Sequence, residues 1–181
     1  MKTILIGVVA MASIWNLPKP PDKEPTDREK ILSVASSQVG IIEKTGKNDG
    51  EVEKYIASVG LDPKAGYPYC AAFNHWVGKE ALGQSPYPRS AWSPDQVKGG
   101  TRVAKSTVIH GGEAFGIYFK SKGRIAHTGL VERFDGKNFI TIEANTSANA
   151  AVGSSADRDG QGVYRKRRHW RTVRTVRDWA K

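Results

Sequence analysis

One cysteine and four histidines limit the nucleophilic chemistry open to this 181-residue chain. Cys70 follows Gly66-Tyr67-Pro68-Tyr69 and opens a stretch with apolar residues at helical spacing, so the sequence predicts it in the first turn of a helix. Free backbone N–H groups and the helix dipole there favour thiolate over thiol, and the thiolate is the nucleophile. The alternative is a small hydrophobe packed beside Ala71 and Phe73. His127 lies in the run Ile125-Ala126-His127-Thr128-Gly129-Leu130-Val131, where a polar ring among apolar residues calls for a partner; a core histidine bonded to a backbone carbonyl is the alternative. His75 projects away from Cys70 on the same helix, His169 sits among arginines, and His110 falls in a region without readable periodicity.

A third element bears on His127. The run Thr141-Ile142-Glu143-Ala144-Asn145-Thr146 places Glu143 and Asn145 on one strand face by parity. Pairing 127 opposite 145 and 129 opposite 143 brings both groups beside His127. That register needs a three-residue loop at 135–137 or a bulge, because a two-residue loop with regular pairing turns the polar groups away. A carboxylate or amide so placed fixes the imidazole tautomer and stabilises its charged form.

The elements that must position these residues follow from capping and periodicity. Thr26-Asp27-Arg28-Glu29 reads as a capping box opening a helix that Gly40 stops. A second helix spans Glu51 to Val59 and a third about Tyr69 to Leu82, with Phe73, Trp76, Val77 and Ala81 as its buried stripe. Residues 85–112 are dense in turn formers. Strands follow over 114–119, 124–134 and 139–143, and from 162 toward 176. Helices first and antiparallel strands after predict an α+β domain.

Three motifs together resemble the CHAP family of cysteine, histidine-dependent amidohydrolases and peptidases. Tyr69-Cys70-Ala71-Ala72-Phe73 with Trp76 is similar to its cysteine helix, Ala126-His127-Thr128-Gly129-Leu130-Val131 to its histidine strand, and Ile142-Glu143-Ala144-Asn145-Thr146 to its Glu-x-Asn segment. The likeness runs over about residues 30–168. It implies a papain-like fold and thiol-dependent cleavage of peptidoglycan, at the muramoyl–alanine amide or within the stem peptides, with no metal or organic cofactor. By position Cys70 is the nucleophile, His127 the general base and acid, and Glu143 the residue that orients His127. Asn145 would support that network or the oxyanion. Tyr69, Asn48 and Trp76 are the substrate-lining candidates, with Tyr67 and Trp92 behind them. Asn74-His75 and Glu113 depart from the family pattern without touching the triad.

Charge and the N-terminus supply the setting. Twenty-eight Lys and Arg against 18 Asp and Glu give a net charge of +10, which fits a polyanionic partner. Residues 165–181 hold eight of the basic residues and one acid. This segment reads as a last strand or two with a solvated cationic face, able to meet anionic wall polymers or membrane phosphates. A lone cysteine excludes a disulfide framework and a multi-cysteine zinc site. Residues 1–12 read as a secretory signal with Ala10 and Ala12 at its cleavage site, or as an uncleaved anchor. Residues 13–25 are a Pro-rich spacer, and 26–181 the catalytic domain. The expectation is an exported monomer acting at the periplasm, cell surface or outside the cell. A non-catalytic wall-binding module is the first rival. A nucleic-acid binder using the arginine-rich C-terminus is the second, and export argues against it.

Overall fold

A computed structural model describes residues 23–104 and 108–180. The signal and most of the spacer predicted over residues 1–25 therefore lie outside the described residues. Among the described residues, no helix is long and apolar enough to cross a membrane.

Thr26 caps helix α1 (Asp27–Ser37) in the predicted capping box: its hydroxyl accepts the Glu29 N–H, and the Glu29 carboxylate accepts the Thr26 N–H. Such a cap is worth about 1 kcal/mol. The second helical stretch divides into a 3₁₀ turn at 50–52 and helix α2 (Glu53–Ser58). Helix α3 (Cys70–Leu82) ends at Gly83, whose φ of 76° is open to glycine at little cost. It is more deeply buried than a single stripe implies, because every residue from Cys70 to Phe73 has under 3% exposure. Two short elements, helix α4 (Asp95–Lys98) and strand β1 (Thr101–Arg102), occupy the region whose periodicity was unreadable.

The remaining strands are β2 (Ala114–Phe119), β3 (Arg124–Phe134), β4 (Asn138–Thr146), β5 (Gly162–His169) and β6 (Thr175–Asp178), with the four-residue helix α5 (Ser155–Arg158) between β4 and β5. They form one antiparallel sheet in the order β1-β6-β2-β3-β4-β5. The chain is thus α+β, with helices followed by a C-terminal six-stranded antiparallel sheet.

Alternation along the strands feeds two cores. Leu130, Ile142, Ala144 and Val163 join Ile31, Ala35, Tyr55, Ile56, Phe73 and Val77 of the helices. Phe115, Ile117, Val131, Phe139, Val173 and Val176 form the second cluster. Truncating a side chain such as Phe73 in the first core costs about 3–5 kcal/mol. Arg28 ties α1 to β6 through Asp178 at 2.8 Å and to the loop before β2 through the Gly111 carbonyl at 2.8 Å.

The β3–β4 hairpin reaches the required register by a bulge. Asp135 N–H donates to the Asn138 carbonyl, closing a two-residue turn at Gly136-Lys137. Phe134 pairs with Phe139 and Arg133 with Ile140, but Val131 pairs with Thr141 and Leu130 with Ile142, so Glu132 is the extra residue. A three-residue loop is therefore not used. The single inserted residue reverses the facing of everything beyond it.

Candidate active site

Cys70 is the first residue of α3, and its N-cap Tyr69 supplies no side-chain acceptor to the helix start. Cys70 is 2% exposed, and its sulfur lies 3.4 Å from Ser93 Oγ. His127 is wholly buried on β3. A second bulge sits beside it: Ile117 pairs with His127 but Tyr118 pairs with Ile125, leaving Ala126 as the extra residue. Bulges re-aim neighbouring side chains, and here the imidazole is flanked along β3 by one on either side.

His127 Nε2–H donates to Glu143 Oε2 at 2.8 Å. With that nitrogen committed, Nδ1 is left to exchange a proton with the thiol. Nδ1 is buried without a hydrogen-bond partner, and Cys70 and the ring influence each other's ionisation. Nucleophile–base contacts often tighten only when substrate binds.

The electrostatics favour the charged pair. Burial alone would push the Cys70 thiol up. The His127 ring, the Ser93 hydroxyl and the Thr128 N–H outweigh it and bring the thiol below its ordinary value. Burial likewise opposes charge on His127, but Cys70 and Glu143 hold the imidazolium and raise it to about 9. Burial would raise Glu143 too, and Arg168 and His127 hold it far below the usual carboxylate range.

Arg168 was hidden in the sequence. It is 1% exposed. Its Nε–H donates to Glu143 Oε1 at 2.8 Å, Nη2 donates to Oε2, and Nη1 lies 2.7 Å from Asp157 Oδ1. Thr141 Oγ1 also donates to Glu143 Oε1. Lys166 Nζ completes the network at 3.2 Å from Asp157 Oδ1 and 2.7 Å from the Ser147 carbonyl. The solvated basic face expected over 165–181 thus needs correction. Arg165 and Arg167 face outward and pair with Glu132 and Asp135, while Lys166 and Arg168 turn into the protein.

Other expected site residues are placed differently. Asn145 is buried, but its Nδ2 donates to the Arg158 carbonyl at 2.9 Å and its Oδ1 has no partner, so it does not bond His127. Its φ of 59° explains why: the pleat breaks there, and parity with Glu143 no longer holds. Tyr69 is fully buried, donates to Glu43 Oε1 at 2.9 Å and packs 5.8 Å from the Tyr55 ring. Trp76 packs edge-on to Tyr55 beneath Lys54. Both are core residues rather than groove walls. Asn48 shapes its loop, donating to the Gly66 carbonyl at a φ of 58°. Tyr67 and Trp92 do line the cleft of about 530 Å³ that opens on Cys70. His75 contacts the Tyr87 carbonyl, and His169 accepts from the Arg171 N–H.

Gly129 marks how tightly the network is held. A Cβ there would come within 2.8 Å of the Ile142 carbonyl oxygen, 2.9 Å of Glu143 Cγ and 3.0 Å of Phe115 Cε1. The backbone oxygen cannot yield, so Gly129→Ala is expected to lower stability by about 1–3 kcal/mol. Urea unfolding should show a reduced midpoint at unchanged slope.

Among the described residues, no group of three or more His, Cys, Asp or Glu side chains is placed to hold a metal ion. The arrangement offers acyl transfer: a polarised thiol, a base with a fixed tautomer, and a helix start behind the sulfur. Compared with known proteins, the chain matches no family model and no curated sequence.

Proposed function

We propose that the protein is a papain-like thiol hydrolase of peptidoglycan amide bonds. The observation that carries the reading is a cysteine at a helix start set against a buried sheet histidine whose far nitrogen is held by Glu143. The CHAP-like order of the Cys70, His127 and Glu143 motifs supports the substrate class.

The Cys70 thiolate attacks the amide carbonyl carbon, and the N–H groups at the start of α3 face the developing oxyanion. The His127 imidazolium gives its Nδ1 proton to the leaving nitrogen as the C–N bond breaks, leaving a thioester. Neutral His127 then takes a proton from water as its oxygen attacks that thioester. The C–S bond breaks, and the thiolate–imidazolium pair returns. Glu143 keeps the Nε2 proton throughout, and Arg168 keeps Glu143 ionised.

This cycle needs the imidazolium, which is present below a pKa of about 9. Activity should therefore persist through neutrality, fall as pH rises through about 9, and also fall in acid as the Cys70 thiolate gains a proton. A pH–rate profile of kcat/KM checks both limbs.

An exported location and contact of the exposed arginines of β5 and of the segment that follows it (Arg165, Arg167, Arg171 and Arg174) with anionic wall polymers belong to the same reading. The test is mass spectrometry of purified peptidoglycan after incubation. Fragments with a new amine, a new carboxyl and one added water support the proposal and identify the bond. Unchanged fragments with retained binding to the wall would favour the non-catalytic module.

A further inference from the structure

The wall of the cleft beside Cys70 carries Arg89, Arg124 and Arg158, and no Asp or Glu is among the described residues lining it. The Arg124 guanidinium sits over the Trp92 ring, 3.7 Å from its centroid, with one nitrogen on the Ile125 carbonyl. Contact with the ring face restrains the guanidinium and consumes none of its N–H donors. Arg89 and Arg124 have no carboxylate partner among the described residues. Arg158 has only Asp159, at 3.8 Å and itself 47% exposed at the side chain. The buried network, by contrast, pairs every cation it contains. Three like charges sharing one cleft repel each other and focus a positive field at its mouth, which an anionic occupant relieves.

Position ties this wall to the chemistry. Arg124 precedes His127 by three residues on β3, roughly 10 Å along a strand. Arg158 is held from behind, because Asn145 Nδ2 bonds its carbonyl. Asn145 thus bonds the main chain of a cleft residue rather than the imidazole.

We infer that Arg89, Arg124 and Arg158 form a carboxylate-binding subsite that selects acidic peptides, gripping a free carboxylate within about three residues of the scissile amide. The inference rests on the hydrolase reading for the position of that amide, but not for the anion preference itself. Bidentate pairing with a carboxylate suits the guanidinium fork better than it suits lysine.

Soluble muropeptides from glycan-digested walls serve as the probe, native and after carbodiimide-coupled amidation of their carboxyls. Amidation is expected to lower kcat/KM about tenfold or more, chiefly through KM. Arg124→Gln should lose a similar factor on native muropeptides and nothing further on amidated ones. Equal cleavage of the two forms by the unaltered protein would overturn the subsite without touching the hydrolase reading, and this comparison needs no variant to fold. Cleavage of neither form would instead defeat the hydrolase reading. Binding to the Cys70→Ala protein then decides the subsite. Tighter, Arg124-dependent binding of native muropeptides upholds it, and equal or absent binding of both forms overturns it.

Discussion

Cys70→Ala is expected to abolish the proposed peptidoglycan cleavage, lowering the rate by on the order of 10⁴-fold or more, with the fold and any wall binding retained. The side chain is small, so the cavity left beside Ser93 costs little compared with the loss of the only thiol. His127→Ala has an effect of the same order, since the thiol then loses both its counter-charge and its proton acceptor. The two groups act as a unit, so the double variant is scarcely worse than either single one. Fragment analysis by mass spectrometry, with circular dichroism as the folding control, measures this. Variants that cleave walls at the parental rate would mean that the chemistry lies elsewhere.

Arg168→Met strips the guanidinium from Glu143 and Asp157 at once. Removing one partner of a buried ion network leaves uncompensated charge, at a cost of about 3–5 kcal/mol. Glu143 is buried and held far below the usual carboxylate range, Arg168 being the largest influence opposing burial. In the parent, its ionised state therefore favours folding above the unfolded carboxyl value of roughly 4.3, and that contribution fades as pH falls toward the folded value. In the variant Glu143 moves upward, so acid unfolding should begin at a higher pH. Arg168 does not touch the reacting atoms; it is a positioning residue. Its loss should also move the upper limb of the pH–rate profile to higher pH, because an ionised Glu143 relieved of the guanidinium holds the His127 imidazolium more strongly. A merely structural role would reduce stability and leave that limb in place. Arg168→Lys, keeping the charge but not the fork, should recover part of the stability and less of the activity.

Much of this site is written in local patterns. The glycines and the apolar spacing around 70–82 mark a helix, and its first turn is the only place where the lone thiol gains from a helix dipole. Strand parity together with the need to keep Glu143 facing His127 demanded one unpaired residue in the hairpin. The chain supplies it as the bulge at Glu132 rather than in the turn.

What resisted reading has physical causes. Strand parity predicts Asn145 on the Glu143 face, but its left-handed backbone resets the alternation there. Arg168 was masked by its neighbours, because arginines and lysines on both faces of β5 erase the polar–apolar contrast that reveals which side is buried. The available signal was pairing: Thr141 opposite Lys166 and Phe139 opposite Arg168 place both cations on the Glu143 face. Ser93 comes from the turn-rich region, where no periodicity links position to burial. Tyr69 and Trp76 sit beside the cysteine in sequence, but the helix turns them into the aromatic cluster around Tyr55.

Ionisation of the one thiol tests the central claim most directly. Thiolate absorbance near 240 nm, taken as the difference between the native protein and Cys70→Ser across pH, reports Cys70 alone and needs neither substrate nor reagent access. A folded protein that shows the thiolate signal at neutral pH and loses it only well below the free-thiol value of about 8.5, with the transition moving upward in His127→Ala, is the predicted result. A signal that first appears at about 8.5 or higher, and is indifferent to His127, would contradict it.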